Sequence, residues 1–286
     1  MKKYTYPENQ LPTKSTSKVL ALVGDDKDVL EVGCAMGFQT RALKEQQGCR
    51  ITGIEIDASQ ASYSRPYCDE LIIGDIETLS LEERLGEKKF DVITFADVLE
   101  HLRDPVRALT KIKPFLKDSG YVVASIPNIA HCSVIFDLAH GNFDYRPLGL
   151  LDDTHIRFFT KKSTFETFEK AGFTITALDR NRNQPINTEF KTEAASPADQ
   201  AFIDYVFSMN PEADTYQFVV KAVPFNGKPD FQQAELIAAL DKIQSLDASI
   251  LANQSRIREL ESQVAWLSRK PGEQLKSILS RLLCWK

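Results

Sequence analysis

The chain has 286 residues, 43% of them hydrophobic and 26% charged, with a formal net charge of -5. That length suffices for one domain with a full core plus an appendage, and that composition excludes a fibrous or disordered chain. The acidic balance argues against a nucleic-acid partner, which is ordinarily met by a basic face.

In chain order, a helical pattern at Thr16–Val23 leads into an apolar strand at Val29–Val32. A helix at Phe38–Gln47 follows, then strands at Arg50–Ile56, Glu70–Ile73 and Phe90–Phe95. Next come a helix at Pro105–Leu116, a strand at Tyr121–Ile126, a helix at Lys162–Ala171, and strands at Thr174–Asp179 and Tyr216–Ala222. Short β-rich runs alternating with helices predict an α/β sheet. Asp104 before Pro105 reads as an N-cap, Ser163 with Glu166 as a capping box, and Gly172 as the glycine past a helix end. Two stretches break the alternation. Asn128–Thr160 is aromatic and irregular and stands where a substrate lid belongs; Asn181–Ala213 reads as a polar surface excursion.

After Pro224 the character changes, with 226–231 as a linker and an unbroken helical pattern until Pro271. Residues 232–269 fit heptads, with Leu236, Ile243, Ile250, Ile257 and Val264 at a and Ala239, Leu246, Asn253, Leu260 and Leu267 at d. A seam of that kind predicts a coiled coil and a homodimer, the alternative being a long helix packed on its own domain. Residues 270–286 form a basic amphipathic pattern suited to peripheral membrane contact or to a cap on the coiled coil. Five scattered cysteines without a Cys-x-x-Cys predict free thiols, a reducing compartment and no zinc site. The N-terminus lacks an apolar signal region, so the expected location is cytoplasmic, with the inner face of the membrane as an option.

The chemistry gathers at strand ends. Val29–Val32 runs into Gly33, Cys34, Ala35, Met36 and Gly37 before a helix. Glycines at such a turn let backbone approach a ligand and expose helix N-terminal N–H groups. The spacing is Gly-x-x-x-Gly, and a nicotinamide fingerprint would need glycine where Ala35 and Phe38 stand. The second strand ends at Glu55, Ile56 and Asp57, where an acid can accept from both ribose hydroxyls. The third ends at Gly74, Asp75 and Ile76, a carboxylate and an apolar cover suited to an adenine ring.

Glu31–Gly37, Gly53–Glu55, Gly74–Asp75 and Phe90–Ile93 together resemble the ordered motifs of class I S-adenosylmethionine-dependent methyltransferases. The resemblance implies a doubly wound, mostly parallel, Rossmann-like sheet of seven strands over residues 1–225. Asp97–Pro105, Ser125–Asn128 and Leu151–Thr160 resemble bacterial members associated with glycan and polysaccharide biosynthesis. By that resemblance Glu31, Gly33, Cys34, Ala35 and Gly37 cradle the methionine part of S-adenosyl-L-methionine. Glu55 holds the ribose, with Ile56 a further cofactor-binding residue, Asp75 and Ile76 hold the adenine, and Phe95, Ala96 and Asp97 flank the sulfonium and the acceptor. Ala35 departs from the family pattern, in which many members have glycine.

A sugar hydroxyl is a poor nucleophile and needs a base, for which histidine is suited near neutral pH. Among four histidines, His155 in the lid-like segment is the expected base, with Asp153 orienting it and His101 as a further candidate. Arg157 is expected to grip an anionic acceptor and Asn128 to line its site. No metal is expected; an ion on Asp152, Asp153 and His155 is the less favoured arrangement. The expected acceptor is a sugar or glycan. The alternatives are a quinone or natural-product precursor, or a degenerate domain that presents its coiled coil to partners.

Overall fold

A computed structural model describes residues 14–225 together with the helical residues 256–258, 260, 261 and 264. The chain divides into two units, Met1–Pro229 and Asp230–Lys286. The linker, most of the coiled coil and the basic C-terminal pattern lie outside the described residues. Within them Ile257, Leu260 and Val264, expected at seam positions, are helical with exposed side chains. No described helix is long and apolar enough to cross a membrane.

The first unit opens with α1 (Lys14–Val23), β1 (Asp28–Val32), α2 (Phe38–Gln47), β2 (Arg50–Glu55) and α3 (Ala58–Ser64). It continues with β3 (Glu70–Ile73), α4 (Leu81–Leu85), β4 (Phe90–Ala96), α5 (Pro105–Ile112), β5 (Leu116–Pro127) and α6 (Cys132–Ala139). α7 (Lys161–Lys170), β6 (Phe173–Arg182), α8 (Pro197–Met209) and β7 (Thr215–Pro224) complete it. All seven expected strands form. They build one sheet in the order β3-β2-β1-β4-β5-β7-β6. β1 to β5 pair in parallel, whereas β7 runs antiparallel to both β5 and β6, so the sheet is mixed.

Parallel strands covered on both faces need apolar side chains in succession. β1 supplies them: Leu30 packs with Ile93, Phe95 and Phe168 on one face, and Val29 with Leu20, Leu43 and Ile51 on the other. The order turns back beside β1, which has β2 on one side and β4 on the other, and ligands of such sheets bind outside the carboxyl ends there.

Several local expectations shift. The helix from Pro105 stops at Ile112, and Lys113–Phe115 continues as a 3-10 turn around Pro114. Asp104 caps it as expected, accepting from Arg107 N at 2.9 Å. The capping box of α7 sits three residues earlier than expected: Thr160 is the cap and Ser163 its reciprocal partner. The excursion at 181–213 contains α8, started by Ser196 and Pro197, the same kind of signal as Asp104-Pro105. α3 and α4, too short to show a clear period, and α6 were also unforeseen.

Candidate active site

A cavity of about 1350 Å³ opens at the carboxyl ends of β1, β2, β3 and β4. Its wall includes Glu31, Gly33, Cys34, Ala35, Glu55, Ile56, Asp75, Ile76, Ala96 and Asp97, all residues that the sequence singles out. The structure also brings His101 and His155 to it.

Glu31, on β1, is 2% exposed. Gln39 of α2 donates to its Oε1 at 3.1 Å, and its Oε2 has no hydrogen-bond partner. Burial pushes this carboxyl up to about 7. Glu55 accepts from Ala35 N at 2.7 Å and from Asp57 N at 2.9 Å, so it braces the glycine turn from below. Asp57 caps α3 through Ser59 N, while Asp75 accepts from Glu77 N at 2.8 Å and still lines the cavity.

The turn itself is left-handed at three places. Gly33 (φ 78), Ala35 (φ 42) and Gly37 (φ 80) carry it. A side chain at Gly33 would lie 2.6 Å from Val98 Cγ2, and one at Gly37 would lie 2.6 Å from Ser64 Cα. Neighbouring protein therefore demands both glycines. Gly37 is absent from the cavity wall; it turns the chain into α2 rather than touching a ligand. Ala35 holds a conformation that costs an L-residue roughly 1–2 kcal/mol.

Other expectations are corrected. Phe95 is fully buried in the core and absent from the cavity wall, which Ala96 at the end of β4 and Asp97 just past it line instead. Asn128 is buried, donating to Glu212 O and Thr215 O and accepting from Ala130 N, so it ties β5 to β7 instead of touching acceptor. Asp153 is exposed and outside the cavity wall; its neighbour Asp152 is buried and lines it. Arg157 also lies outside the wall and donates to the Arg103 carbonyl at 3.1 Å through Nε, fastening the lid.

The other end of the cavity holds a cluster that the sequence signals only in part. A 3-10 turn at Leu99–His101 presents Glu100 and His101, and the lid presents His155. His155 Nδ1 faces the Leu150 carbonyl at 3.2 Å, and its Nε2 lies 3.9 Å from Glu100 Oε1. The two imidazoles meet edge to face, their centroids 4.8 Å apart. Glu100 is 1% exposed, and burial raises its carboxyl well above the ordinary range. Its backbone carbonyl accepts from Ile156 N and Arg157 N, both at 3.0 Å, so the turn and the lid are one assembly. His131 does something different, capping α6 and contacting the Asn183 carbonyl at 2.9 Å.

Asn181 and Asn183 from β6 and its end, and Tyr216 and Gln217 from β7, complete the wall. Gln217 Nε2 donates to Asp97, which also takes the Ser125 hydroxyl. Apart from the histidines already singled out, an acid directly after Val98 and Leu99 is the sequence signal that marks this half.

The fold defines the class: a Rossmann-like class I methyltransferase, with its cavity at the switch point. The chain belongs to the methyltransferase-domain family, whose profile matches residues 8–178. The ubiquinone biosynthesis O-methyltransferase of Histophilus somni is 32% identical over 110 residues, 36% of this chain and 46% of that enzyme. The Coxiella burnetii protein of the same name is 22% identical over 188 residues, 64% of this chain and 77% of that one. A SAM-dependent methyltransferase from Archaeoglobus fulgidus superposes with a TM-score of 0.52 at 16% identity, over 72% of this chain and 91% of that one, a likeness of fold.

Proposed function

We propose that this chain transfers a methyl group from S-adenosylmethionine to a hydroxyl of a small polar acceptor. The observation that carries the reading is Glu31, a buried carboxylate with one unpartnered oxygen beside a tight turn at the switch point. An ammonium group, such as that of a methionine moiety, supplies the missing partner. Glu55 would take the ribose, and Asp75 with Ile76 the adenine. The bound sulfonium supplies an already activated methyl group. What remains for the protein is alignment, which contributes roughly 7–11 kcal/mol in well-oriented reactions.

At the other end, His155 is the group proposed to take the hydroxyl proton. The Leu150 carbonyl holds the ring proton on Nδ1, which puts the lone pair on Nε2. Glu100 stands beside it.

The names of the relatives favour a phenolic acceptor of the quinone-precursor kind. A sugar hydroxyl is the second reading, supported by the amide and hydroxyl groups of Asn181, Asn183, Tyr216 and Gln217 along the wall. Calorimetry with S-adenosylmethionine comes first: the proposal expects one site, and no heat would leave the degenerate assembly reading. Isotope-labelled donor is then offered with 3,4-dihydroxybenzoate and with a pool of nucleotide sugars. Label on the phenol is the expected result, and label on sugar alone moves the acceptor to the second class.

A further inference from the structure

We infer that Glu100, His101 and His155 form a binding site for one divalent first-row transition ion at the acceptor end of the cavity. Each of the three offers one ligand atom, and these atoms lie within 4.8 Å of one another. This set differs from a cluster built on Asp152 and Asp153, since Asp153 lies outside the cavity wall.

Glu100 is the independent sign of a missing partner. It is 1% exposed, and neither carboxylate oxygen has a hydrogen-bond partner. A buried carboxylate left in that state is costly unless a cation or a proton joins it. The separation of 3.9 Å from His155 Nε2 is too long for a hydrogen bond and leaves the two groups facing a common point. Asp97 and Asp152 act electrostatically on Glu100, which deepens the negative potential there.

The imidazoles are oriented as metal ligands are. His155 Nδ1 faces the Leu150 carbonyl at 3.2 Å, and His101 Nδ1 faces the Thr154 carbonyl at 3.1 Å. A ring nitrogen against a carbonyl carries the ring proton, so each neutral ring has its lone pair on Nε2. A backbone carbonyl on the far nitrogen is the outer support that fixes a metal-bound histidine.

Two imidazoles and one carboxylate select manganese through zinc over magnesium or calcium, which prefer oxygen ligands. Metal–nitrogen bonds of about 2.0–2.1 Å require the three groups to draw together by roughly 1 Å. The remaining positions would face the cavity, where an acceptor oxygen could ligate the ion and lose its proton more readily. His155 cannot be base and ligand at once, so loading the ion moves the ionising role from the imidazole to the metal.

The test uses the untagged full-length chain, stripped with chelator and titrated with manganese chloride by electron paramagnetic resonance and with zinc sulfate by calorimetry. One ion per chain is expected, with magnesium chloride far weaker. E100Q and H155A should each weaken binding by about 10–100-fold or more, with H101N as a third variant. Thermal melts and S-adenosylmethionine calorimetry on each variant report that the fold is intact. Absence of stoichiometric manganese or zinc binding overturns the inference. So does wild-type affinity in both E100Q and H155A, and magnesium binding as tight as manganese overturns the choice of ion. Failure of the wild type to bind S-adenosylmethionine would sink the methyltransferase reading and leave the ion result standing.

Discussion

In the proposed role of holding the donor's ammonium group, Glu31 ties donor binding to protons. Its carboxyl sits near 7 because of burial, so in the empty protein it is partly protonated at neutral pH. An ammonium partner selects the ionised form, and binding must then release a proton. Donor affinity is expected to fall by up to about tenfold per pH unit below 7, and E31Q should abolish that slope while weakening binding. Calorimetry in phosphate and Tris buffers, which differ in ionisation heat, measures the proton directly. For the empty protein the sign is opposite. The folded state holds the proton more tightly than the unfolded chain, whose carboxyl lies at 4.5, so stability falls as pH rises from 4.5 to 7. Gly53 offers a second check. A side chain there would lie 2.8 Å from Cys34 Sγ and 3.0 Å from Cys68 Sγ. G53A should therefore cost about 1–3 kcal/mol in urea unfolding through overpacking. The donor half of the site was legible because its residues stand at consecutive strand ends, where Glu31, Glu55 and Asp75 each follow an apolar run. The acceptor half was legible only in part: the sequence singles out Asp97, His101 and His155, which do line the cavity, but Glu100 finds His155 only when the lid folds back, and no local pattern encodes that meeting.

At the scale of elements, the segment read as a surface excursion is what fixes the lid. Glu189 accepts from Leu150 N at 2.7 Å and from the Tyr216 hydroxyl at 2.9 Å, while its own carbonyl accepts from Arg146. Gly149, at φ 102, leaves the room for that carboxylate, since a side chain there would meet Glu189 Oε1. E189A strands two buried or half-buried donors and should lower stability by about 1–3 kcal/mol, with faster proteolysis between 140 and 156. Donor binding, on the far side of the cavity, should survive. R157A should loosen the same lid without a change in preference for anionic acceptors, because the guanidinium holds the Arg103 carbonyl. The strands were legible throughout, since apolar runs between turns leave little choice. The helices that escaped notice were short, or, like α8, carried a clear start signal inside a stretch that looked too polar to fold.

At the scale of the molecule, the first unit contains the whole cavity and both apolar clusters of the sheet. A chain ending at residue 229 should bind S-adenosylmethionine within about twofold of the full-length protein, as measured by calorimetry, because every wall residue is retained. The antiparallel β7 has a consequence in time. It is the last strand among the described residues yet lies between β5 and β6, and its Gln217 reaches across to Asp97. During synthesis neither face of the sheet is closed before this strand emerges, because Phe218, Val220 and Ala222 fill one apolar cluster and Val219 the other. The far wall of the cavity closes at the same moment, so a product cut short before this strand is expected to lack the packed sheet as well as the finished chamber, and to hold neither donor nor acceptor.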